Sequence, residues 1–310
     1  GYIGVELGTA WSKLGSTVTI VEAESTILPG LDARLARVAH RRLGQLGIDV
    51  RTGTRVVGLT DDGTAVRLAT GPDRAPGGGS EAGGHTSGDT TEDTVAIDAV
   101  VVCVGRRPNT DDLGLEVVGV TVDDNGLIPV DETRRAASRI LAIGDVTAGP
   151  ALAHKATAEA EVAARSAAGL PARFDVAAIP AVVFADPELA TVGLTTAKAR
   201  AEGIDVSSFV FPLGASSRAR TLATGPEPPV GHLELVADAD GTVLGAHLAG
   251  PNVSELIGEV ALAIEMAATV EELAATVHPH PTMSEGLVEA ANGVLGTPLH
   301  VAGRRSPARP

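Results

Sequence analysis

The chain has 310 residues, and its 44% hydrophobic composition suits a folded protein of two or more domains rather than a disordered chain. Its formal net charge of -15 argues against nucleic acid or a membrane surface as a partner, because both are anionic and no basic stripe offsets the repulsion. No apolar run approaches the roughly 20 residues that cross a bilayer. A single cysteine excludes a disulfide framework and a multi-cysteine metal site, and it favours a reducing compartment, which we expect to be cytoplasmic.

The first segment has the pattern of an incomplete βαβ unit. Residues 4–14 predict a helix and residues 17–21 a short buried strand. Gly1 and Gly4 match the second and third glycines of a dinucleotide fingerprint, which let the backbone approach a pyrophosphate at a helix N-terminus. We expect the first strand and the first glycine to precede this chain. The alternative is that these glycines only allow close helix packing.

Glu22 strengthens the nucleotide interpretation. It follows the strand about twenty residues after the glycines, where an acidic side chain accepts hydrogen bonds from the adenosine ribose hydroxyls. A carboxylate at that place would repel a 2′-phosphate. The sequence therefore predicts NAD rather than NADP.

Residues 32–104 predict a second helix, a small sheet and a core strand. The helix covers residues 32–46, and alternating apolar residues at 56–59 and 65–69 indicate a small antiparallel sheet. Residues 71–94 are almost wholly polar and predict a flexible surface loop. Residues 95–104 predict a strand in which Cys103 is a small buried hydrophobe rather than a reactive thiol.

Asp145 stands at the end of an apolar run. Residues 140–143 predict a strand, and an alanine-rich helix follows at 154–168. An aspartate between a strand and a helix N-terminus is typical of the ligand crevice of an open α/β sheet. The alternative is that Asp145 only caps a helix.

The last region changes to an α+β pattern that begins near residue 179, with strands at 181–184 and 232–236 and a helix at 254–267.

Prolines on both sides of His280 restrict its backbone, and Glu285 follows five residues later. A histidine oriented by a carboxylate is a common general acid/base. The alternative is that Thr282 and Glu285 form a helix capping box.

Taken in this order, the motifs resemble those of the pyridine nucleotide-disulfide oxidoreductases along essentially the whole chain. Leu152-Ala153-His154-Lys155-Ala156 is similar to the dihydrolipoamide dehydrogenase branch in particular. The fingerprint and the segment 104–109 are shared by many flavoproteins. Three further segments resemble the interface domain of that family: 186–193, 245–251 and 280–285.

The resemblance implies an α/β fold with Rossmann-like FAD- and NAD(P)-binding domains, followed by an α+β interface or dimerisation domain. The expected limits are an NAD domain at 1–110, the C-terminal part of the FAD domain at 111–178, an interface domain at 179–300 and a disordered tail at 301–310. The expected partners are a second copy of the chain and the lipoyl domain of a 2-oxoacid dehydrogenase complex.

The resemblance also assigns roles to single residues. It implies oxidation of dihydrolipoamide with electron transfer through FAD to NAD, with His280 as the acid/base and Glu285 orienting it. Glu6 is implied near the nicotinamide, Val56 near the adenine and Asp145 on the flavin ribityl chain. The remaining implied cofactor contacts are Gly1, Gly4, Glu22 and Gly105 for NAD, and Ala151, Leu152, Ala153 and His154 for FAD.

The chain departs from the family pattern in three respects. We expect it to lack the N-terminal flavin segment with the paired redox cysteines, and Cys103 cannot replace a pair. Gly231-His232-Leu233-Glu234 stands where the family usually has an aromatic residue and a lysine, and the polar loop at 71–94 is longer than expected. Two other functions stay open: a different flavin-dependent disulfide reductase or transhydrogenase, and a non-catalytic module that binds NAD and dimerises.

Overall fold

The computed structural model describes residues 1–70, 91–223 and 225–302. They fall into two compact units, one of Gly1–Val104 with Val182–Pro310 and the other of Gly105–Ala181. The α/β fold class predicted from the sequence is confirmed, whereas the predicted domain limits at residues 110, 178 and 300 stay predictions. The predicted tail lies outside the described residues from 303 onward.

The first unit opens with the predicted helix-strand pattern. Strands β1 (Thr19–Val21) and β2 (Asp49–Arg51) pair in parallel, with Ile20 opposite Val50. The second helix begins after Asp32, whose side chain accepts the backbone N–H of Arg34 at 2.7 Å, as an N-cap should. The bounds, which confirm both predicted helices, are α1 Tyr2–Lys13, β1 Thr19–Val21, α2 Ala33–Gln45 and β2 Asp49–Arg51.

A three-stranded sheet follows, formed by β3 Thr54–Leu59, β4 Ala65–Thr70 and β5 Thr91–Ala96. Its two strand pairs are antiparallel, as the alternating pattern predicts. Because β5 begins at residue 91, the predicted loop of 71–94 is wrong for its last four positions. The rest of that loop, 71–90, lies outside the described residues.

The predicted strand at 95–104 is wrong after residue 96. Residues 97–104 form no strand, Val102 and Val104 are 75% and 91% exposed, and Cys103 is only partly buried. A strand needs a hydrogen-bonded neighbour, and none of the described strands pairs with this segment. Its apolar residues therefore identify a segment with strand propensity but not a buried strand.

The second unit contains a short antiparallel pair and one long helix. Strands β6 Arg135–Ala137 and β7 Ile140–Leu141 lead into a 3-10 turn at Gly144–Val146, and α3 covers Ala153–Ala167. A small core of Val120, Ile128 and Ala142 packs beneath the pair. The predicted helix is confirmed, and the predicted strand at 140–143 ends two residues early.

The rest of the first unit, as far as it is described, contains five strands and five helices, of which α4, α5 and α7 have only six residues each. The bounds are β8 Ala181–Val183, β9 Glu188–Gly193, α4 Thr196–Ala201, β10 Val206–Pro212, α5 Ser217–Leu222, β11 His232–Asp238, β12 Val243–Gly250, α6 Val253–Glu265, α7 Val270–Ala275 and α8 Glu285–Val294. The strands form one sheet in the order β10-β11-β12-β9-β8, in which the pairs β10–β11, β11–β12 and β12–β9 are antiparallel. The predicted strands and the helix at 254–267 are confirmed.

Two glycines bring α8 close to the sheet. A Cβ at Gly286 would collide with Leu233, and one at Gly293 would collide with Phe209. Both positions are helical, so the reason for glycine is close approach rather than backbone conformation. This close packing fixes how α8 is rotated about its axis, and therefore the direction in which Glu285 projects from it.

Charged contacts join α2 to the five-stranded sheet within the first unit. Arg34 donates to both carboxylate oxygens of the fully buried Glu234 at 2.9 Å, and Arg42 and Lys13 pair with Asp186. The buried carboxylate of Glu234 is therefore paired with a cation on α2. Among the described residues, none of the helices has the length and apolar character that a membrane crossing requires.

Candidate active site

The glycine turn at the start of α1 lies beside Glu22. The backbone nitrogen of Gly1 is 3.5 Å from Oε2 of Glu22, which stands directly after β1. A Cβ at Gly4 would meet no atom within 4 Å, whereas one at Gly8 would press on Ile20. Close helix packing thus explains Gly8 but not Gly4, and the space over the helix start remains available to a ligand.

Two other predicted NAD contacts lie in the same unit. Glu6, on α1, accepts the backbone N–H of Phe184 at 2.8 Å, so one carboxylate oxygen is committed to the chain. Val56 is exposed on β3. Gly105 belongs to the other compact unit and has a φ of +121°, a conformation that favours glycine.

Asp145 lies in the 3-10 turn of the second unit with its side chain largely exposed. It does not cap α3, which begins after Leu152. Nη1 of Arg106 bridges the turn and the start of α3, at 3.2 Å from Oδ2 of Asp145 and 3.0 Å from the carbonyl oxygen of Ala151. Arg106 therefore links two of the predicted flavin contacts, Asp145 and Ala151.

The other predicted flavin contacts form the start of α3. Leu152 stands at the N-cap position and Ala153 is the first helical residue. His154 has Nε2 at 2.7 Å from the carbonyl oxygen of Pro180. A carbonyl only accepts, so Nε2 carries the hydrogen and the tautomer is fixed.

A buried ionic network beneath this turn was missed by the sequence reasoning. Glu159, which is fully buried, accepts the backbone N–H of Gly144 at 2.6 Å and Nη1 of Arg134 at 2.7 Å. Lys155 lies 3.3 Å from Glu159 and donates to the carbonyl oxygen of Gly144 and the hydroxyl of Thr147, each at 3.0 Å. Two cations, Arg134 and Lys155, share the single carboxylate of Glu159, and the hydrogen bonds of this network hold the turn that carries Asp145.

His280 and Glu285 are in contact at the surface of the first unit. Nδ1 of His280 is 2.7 Å from Oε1 of Glu285, and the other carboxylate oxygen accepts the backbone N–H of Thr282 at 2.8 Å. The imidazole is 71% exposed and its carboxylate partner 30%. This leaves Nε2 as the nitrogen available to a substrate.

The environment keeps Glu285 ionised. Partial burial raises the pKa of its carboxyl, but the hydrogen bonds from Thr282 and His280 and the charges of His280 and His300 outweigh burial and lower the pKa below its usual value. An ionised carboxylate at this distance fixes the histidine tautomer and stabilises its protonated form.

The capping alternative is only half realised. Glu285 reaches back to the N–H of Thr282, but the hydroxyl of Thr282 donates to the carbonyl oxygen of Pro279 at 2.7 Å. The N-cap of α8 is Ser284, which makes no side-chain capping bond within the described residues. Glu285 therefore serves both the backbone and the imidazole.

Two further histidine-carboxylate pairs were also missed. His278 lies 2.8 Å from Glu259 on α6, and His300 lies 2.9 Å from Glu289 on α8. The only sequence signal was that Glu285 and Glu289 are four residues apart, which places both on one helix face.

Comparison with known proteins gives the class of the chain. The family model for pyridine nucleotide-disulphide oxidoreductases matches residues 1–160, and the model for the dimerisation domain of the same family matches residues 179–291. The first match covers half of the chain. The chain belongs to the pyridine nucleotide-disulphide oxidoreductase family, which confirms the resemblance predicted from its motifs.

Its curated relatives include dihydrolipoyl dehydrogenases from Geobacillus stearothermophilus, 44% identical over 97% of this chain, and from Halobacterium salinarum, 45% identical over 98%. The chain spans about 60% of the length of each relative. Similar solved structures include the HOCl-induced flavoprotein disulfide reductase RclA from Escherichia coli and LpdA from Mycobacterium tuberculosis. RclA aligns with a TM-score of 0.78 and 28% identity over 94% of this chain and 62% of its own length. LpdA aligns with a TM-score of 0.78 and 29% identity over 94% of this chain and 59% of its own length.

Proposed function

We propose that the full-length protein containing this chain oxidises dihydrolipoamide to lipoamide, with electrons passing through FAD to NAD. The observation that carries the proposal is the exposed His280 held through Nδ1 by an ionised Glu285. That pair is built to exchange a proton at Nε2. The dihydrolipoyl dehydrogenase relatives supply the reaction in which such an exchange is useful.

The proton step concerns the substrate thiol. Thiolates rather than thiols attack disulfides, so a base that removes the thiol proton raises the reactive fraction. Nε2 of His280 would take that proton, and Glu285 would stabilise the resulting imidazolium. The disulfide under attack must come from outside this chain, because Cys103 is its one cysteine.

The nucleotide-binding residues fit NAD. Gly1 and Gly4 would leave room for a pyrophosphate at the start of α1, and Glu22 beside them would accept the ribose hydroxyls. We assign Glu6 to the nicotinamide side, Val56 to the adenine and Gly105 to the backbone approach. A clear preference for NADPH in binding assays would contradict the assignment of Glu22.

The second unit fits part of a flavin site. Asp145 presents a carboxylate that can accept hydrogen bonds from the ribityl hydroxyls, and Ala151, Leu152, Ala153 and His154 would lie against the ring system. Bound there, FAD would supply the redox chemistry that these side chains lack, the transfer of two electrons from the dithiol to NAD. The Glu159 network would keep Asp145 in place.

The expected assembly is a homodimer formed through the dimerisation domain at 179–291, with the lipoyl domain of a 2-oxoacid dehydrogenase complex as the substrate carrier. A cytoplasmic location is the corresponding proposal from the single cysteine.

The test is substrate profiling of the longest reading frame that contains this chain. We expect NAD reduction with dihydrolipoamide and little activity with other disulfide couples. Failure to reduce NAD with dihydrolipoamide would overturn the proposal. Reduction of another disulfide, or NADH–NADP exchange, would favour the alternative oxidoreductases, and NAD binding without any redox activity would favour the dimerising module.

A further inference from the structure

The segment that carries His280 joins α7 to α8 without regular secondary structure, and His278 attaches it to a third helix. Nε2 of His278 lies 2.8 Å from Oε1 of Glu259, near the middle of α6, and Nδ1 lies 2.8 Å from the carbonyl oxygen of Thr276 at the end of α7. The imidazole of His278 is 7% exposed, whereas that of His280 is 71% exposed. The segment is therefore anchored to α6 two positions before His280.

Both ring nitrogens of His278 face hydrogen-bond acceptors. A carbonyl oxygen only accepts, so Nδ1 carries a hydrogen. The hydrogen bond between Nε2 and the carboxyl group of Glu259 then needs a second proton, which the pair shares. His278 has no nitrogen left for a substrate, whereas Nε2 of His280 has no hydrogen-bond partner among the described residues. The two histidines therefore have different tasks.

The chain between His278 and His280 has little freedom to absorb a displacement. The ring of Pro279 fixes its own φ and restricts the backbone of the residue before it. The carbonyl oxygen of Pro279 accepts the hydroxyl of Thr282 at 2.7 Å, and the N–H of Thr282 donates to Oε2 of Glu285 at 2.8 Å. A shift of His278 would therefore change the position of His280 relative to Glu285.

We propose that His278, held by Glu259, is a positioning residue that fixes His280 against Glu285 for proton transfer at Nε2. The inference rests on the proposed function. His278 does not touch the substrate and exchanges no proton during turnover. A displacement on the order of 1 Å in the group that takes the proton can lower the rate about a hundredfold, so the anchor controls the proton step rather than substrate binding.

Two replacements of His278 in the longest reading frame separate its two hydrogen bonds. Glutamine places its amide nitrogen where Nε2 lies and can still donate to Glu259, whereas the shorter asparagine can donate only to Thr276. We expect kcat with dihydrolipoamide to fall about tenfold to a hundredfold in His278→Asn, with KM unchanged, and to stay within about threefold of wild type in His278→Gln. Equal losses in the two variants, or no loss in His278→Asn, would overturn the inference.

The same anchor can be broken from α6. Glu259→Ala removes the acceptor of Nε2, and we expect the same fall in kcat as in His278→Asn. The double variant should lose little more than either single variant, because each change breaks the same contact. Glu255→Ala, at an exposed position of the same helix, is the matched control and should leave kcat unchanged. Losses that multiply in the double variant would contradict the pairing.

A reaction that bypasses the thiol separates positioning from a general structural defect. NADH can reduce ferricyanide through a bound flavin without any dithiol, so His280 takes no part in that reaction. We expect ferricyanide reduction to be unchanged in His278→Asn, whereas a defect in the fold would lower both activities. A parallel fall of the two activities would overturn the inference.

Amide hydrogen exchange gives a readout that is independent of turnover. The N–H of Thr282 is bonded to Glu285, and we expect it to exchange about threefold faster or more in His278→Asn, but not in His278→Gln or Glu255→Ala. If the parent fails to oxidise dihydrolipoamide but the faster exchange is seen, the proposed function fails and the anchoring stands. Unchanged exchange in His278→Asn would overturn the anchoring itself.

Discussion

Two glutamates, Glu159 in the second unit and Glu285 in the first, accept several hydrogen bonds each but in opposite environments. Glu159 is fully buried, and its donors are Arg134, Lys155, Thr147 and the backbone of Gly144. Glu285 is partly exposed and orients an imidazole that is open to solvent. The first arrangement fixes the shape of a turn, and the second leaves one nitrogen free for chemistry.

The difference shows that burial determines whether a carboxylate stabilises the fold or takes part in catalysis. A buried charge must be neutralised on every side, which leaves no capacity for a substrate. In the exposed His280–Glu285 pair, Nε2 of the imidazole needs no protein partner, because water can form a hydrogen bond with it between turnovers. Perturbing each glutamate should therefore affect a different property, stability for Glu159 and catalysis for Glu285.

The largest expected effect comes from His280. Replacement by glutamine removes the proton acceptor, and we expect kcat of the longest reading frame with dihydrolipoamide to fall about 10²- to 10⁴-fold. Stopped-flow reduction by dihydrolipoamide measures the step, and thermal unfolding should be unchanged because the side chain is exposed. Near-normal kcat would exclude His280 as the base.

The next largest effect concerns Glu159. Glu159→Gln leaves Lys155 and Arg134 buried without their counter-charge, and we expect a loss of about 3 kcal/mol in the free energy of unfolding. Denaturant unfolding measures it, with Glu161→Gln at an exposed position of the same helix as the control. Equal stability of the two variants would mean that the network contributes little.

His232 differs from His280 because it is buried and no carboxylate is hydrogen-bonded to it among the described residues. Its Nε2 has no hydrogen-bond partner among the described residues, and burial, with smaller contributions from Arg34, His247 and Arg37, outweighs Asp32 and lowers the pKa of His232 to about 4. The unfolded chain takes up a proton near pH 6.5, so stability is complete above that pH and is lost as pH falls toward 4.

Replacing His232 by phenylalanine, which has no titratable group, should remove this loss. We expect the wild type to lose about 2 kcal/mol more than His232→Phe between pH 7 and pH 5. Denaturant unfolding at the two pH values measures the difference, and His40→Phe on α2 is the control. Parallel pH dependences in wild type and His232→Phe would contradict the assignment.

The smallest expected effect is that of Glu285→Gln. The amide oxygen can still accept the N–H of Thr282, but the charge that supports the imidazolium is lost. We expect kcat to fall about tenfold, less than for His280→Gln. Steady-state kcat with dihydrolipoamide measures the effect. No loss at all, or a loss as large as that of His280→Gln, would contradict the orienting role of Glu285.

The sequence predicted local relationships well. The bounds of α1, α2 and α3 and the His280–Glu285 pair all rest on residues within a few turns of each other, where periodicity and spacing carry information. Asp145 and the start of α3 were also identified by motif.

Contacts between distant segments were not predictable. Arg34 and Glu234 are 200 positions apart, and Glu289 reaches His300 across a turn. Such pairings depend on how elements pack, which no local pattern encodes. The incorrect strand at 97–104 has the same origin, because apolar composition indicates strand propensity but not the presence of a neighbouring strand.

The absorption spectrum of the protein purified from the longest reading frame shows whether dihydrolipoamide reduces a bound flavin. We expect a flavin whose absorbance bleaches when dihydrolipoamide is added and recovers with NAD. A colourless protein, or a flavin that dihydrolipoamide does not reduce, would contradict this expectation.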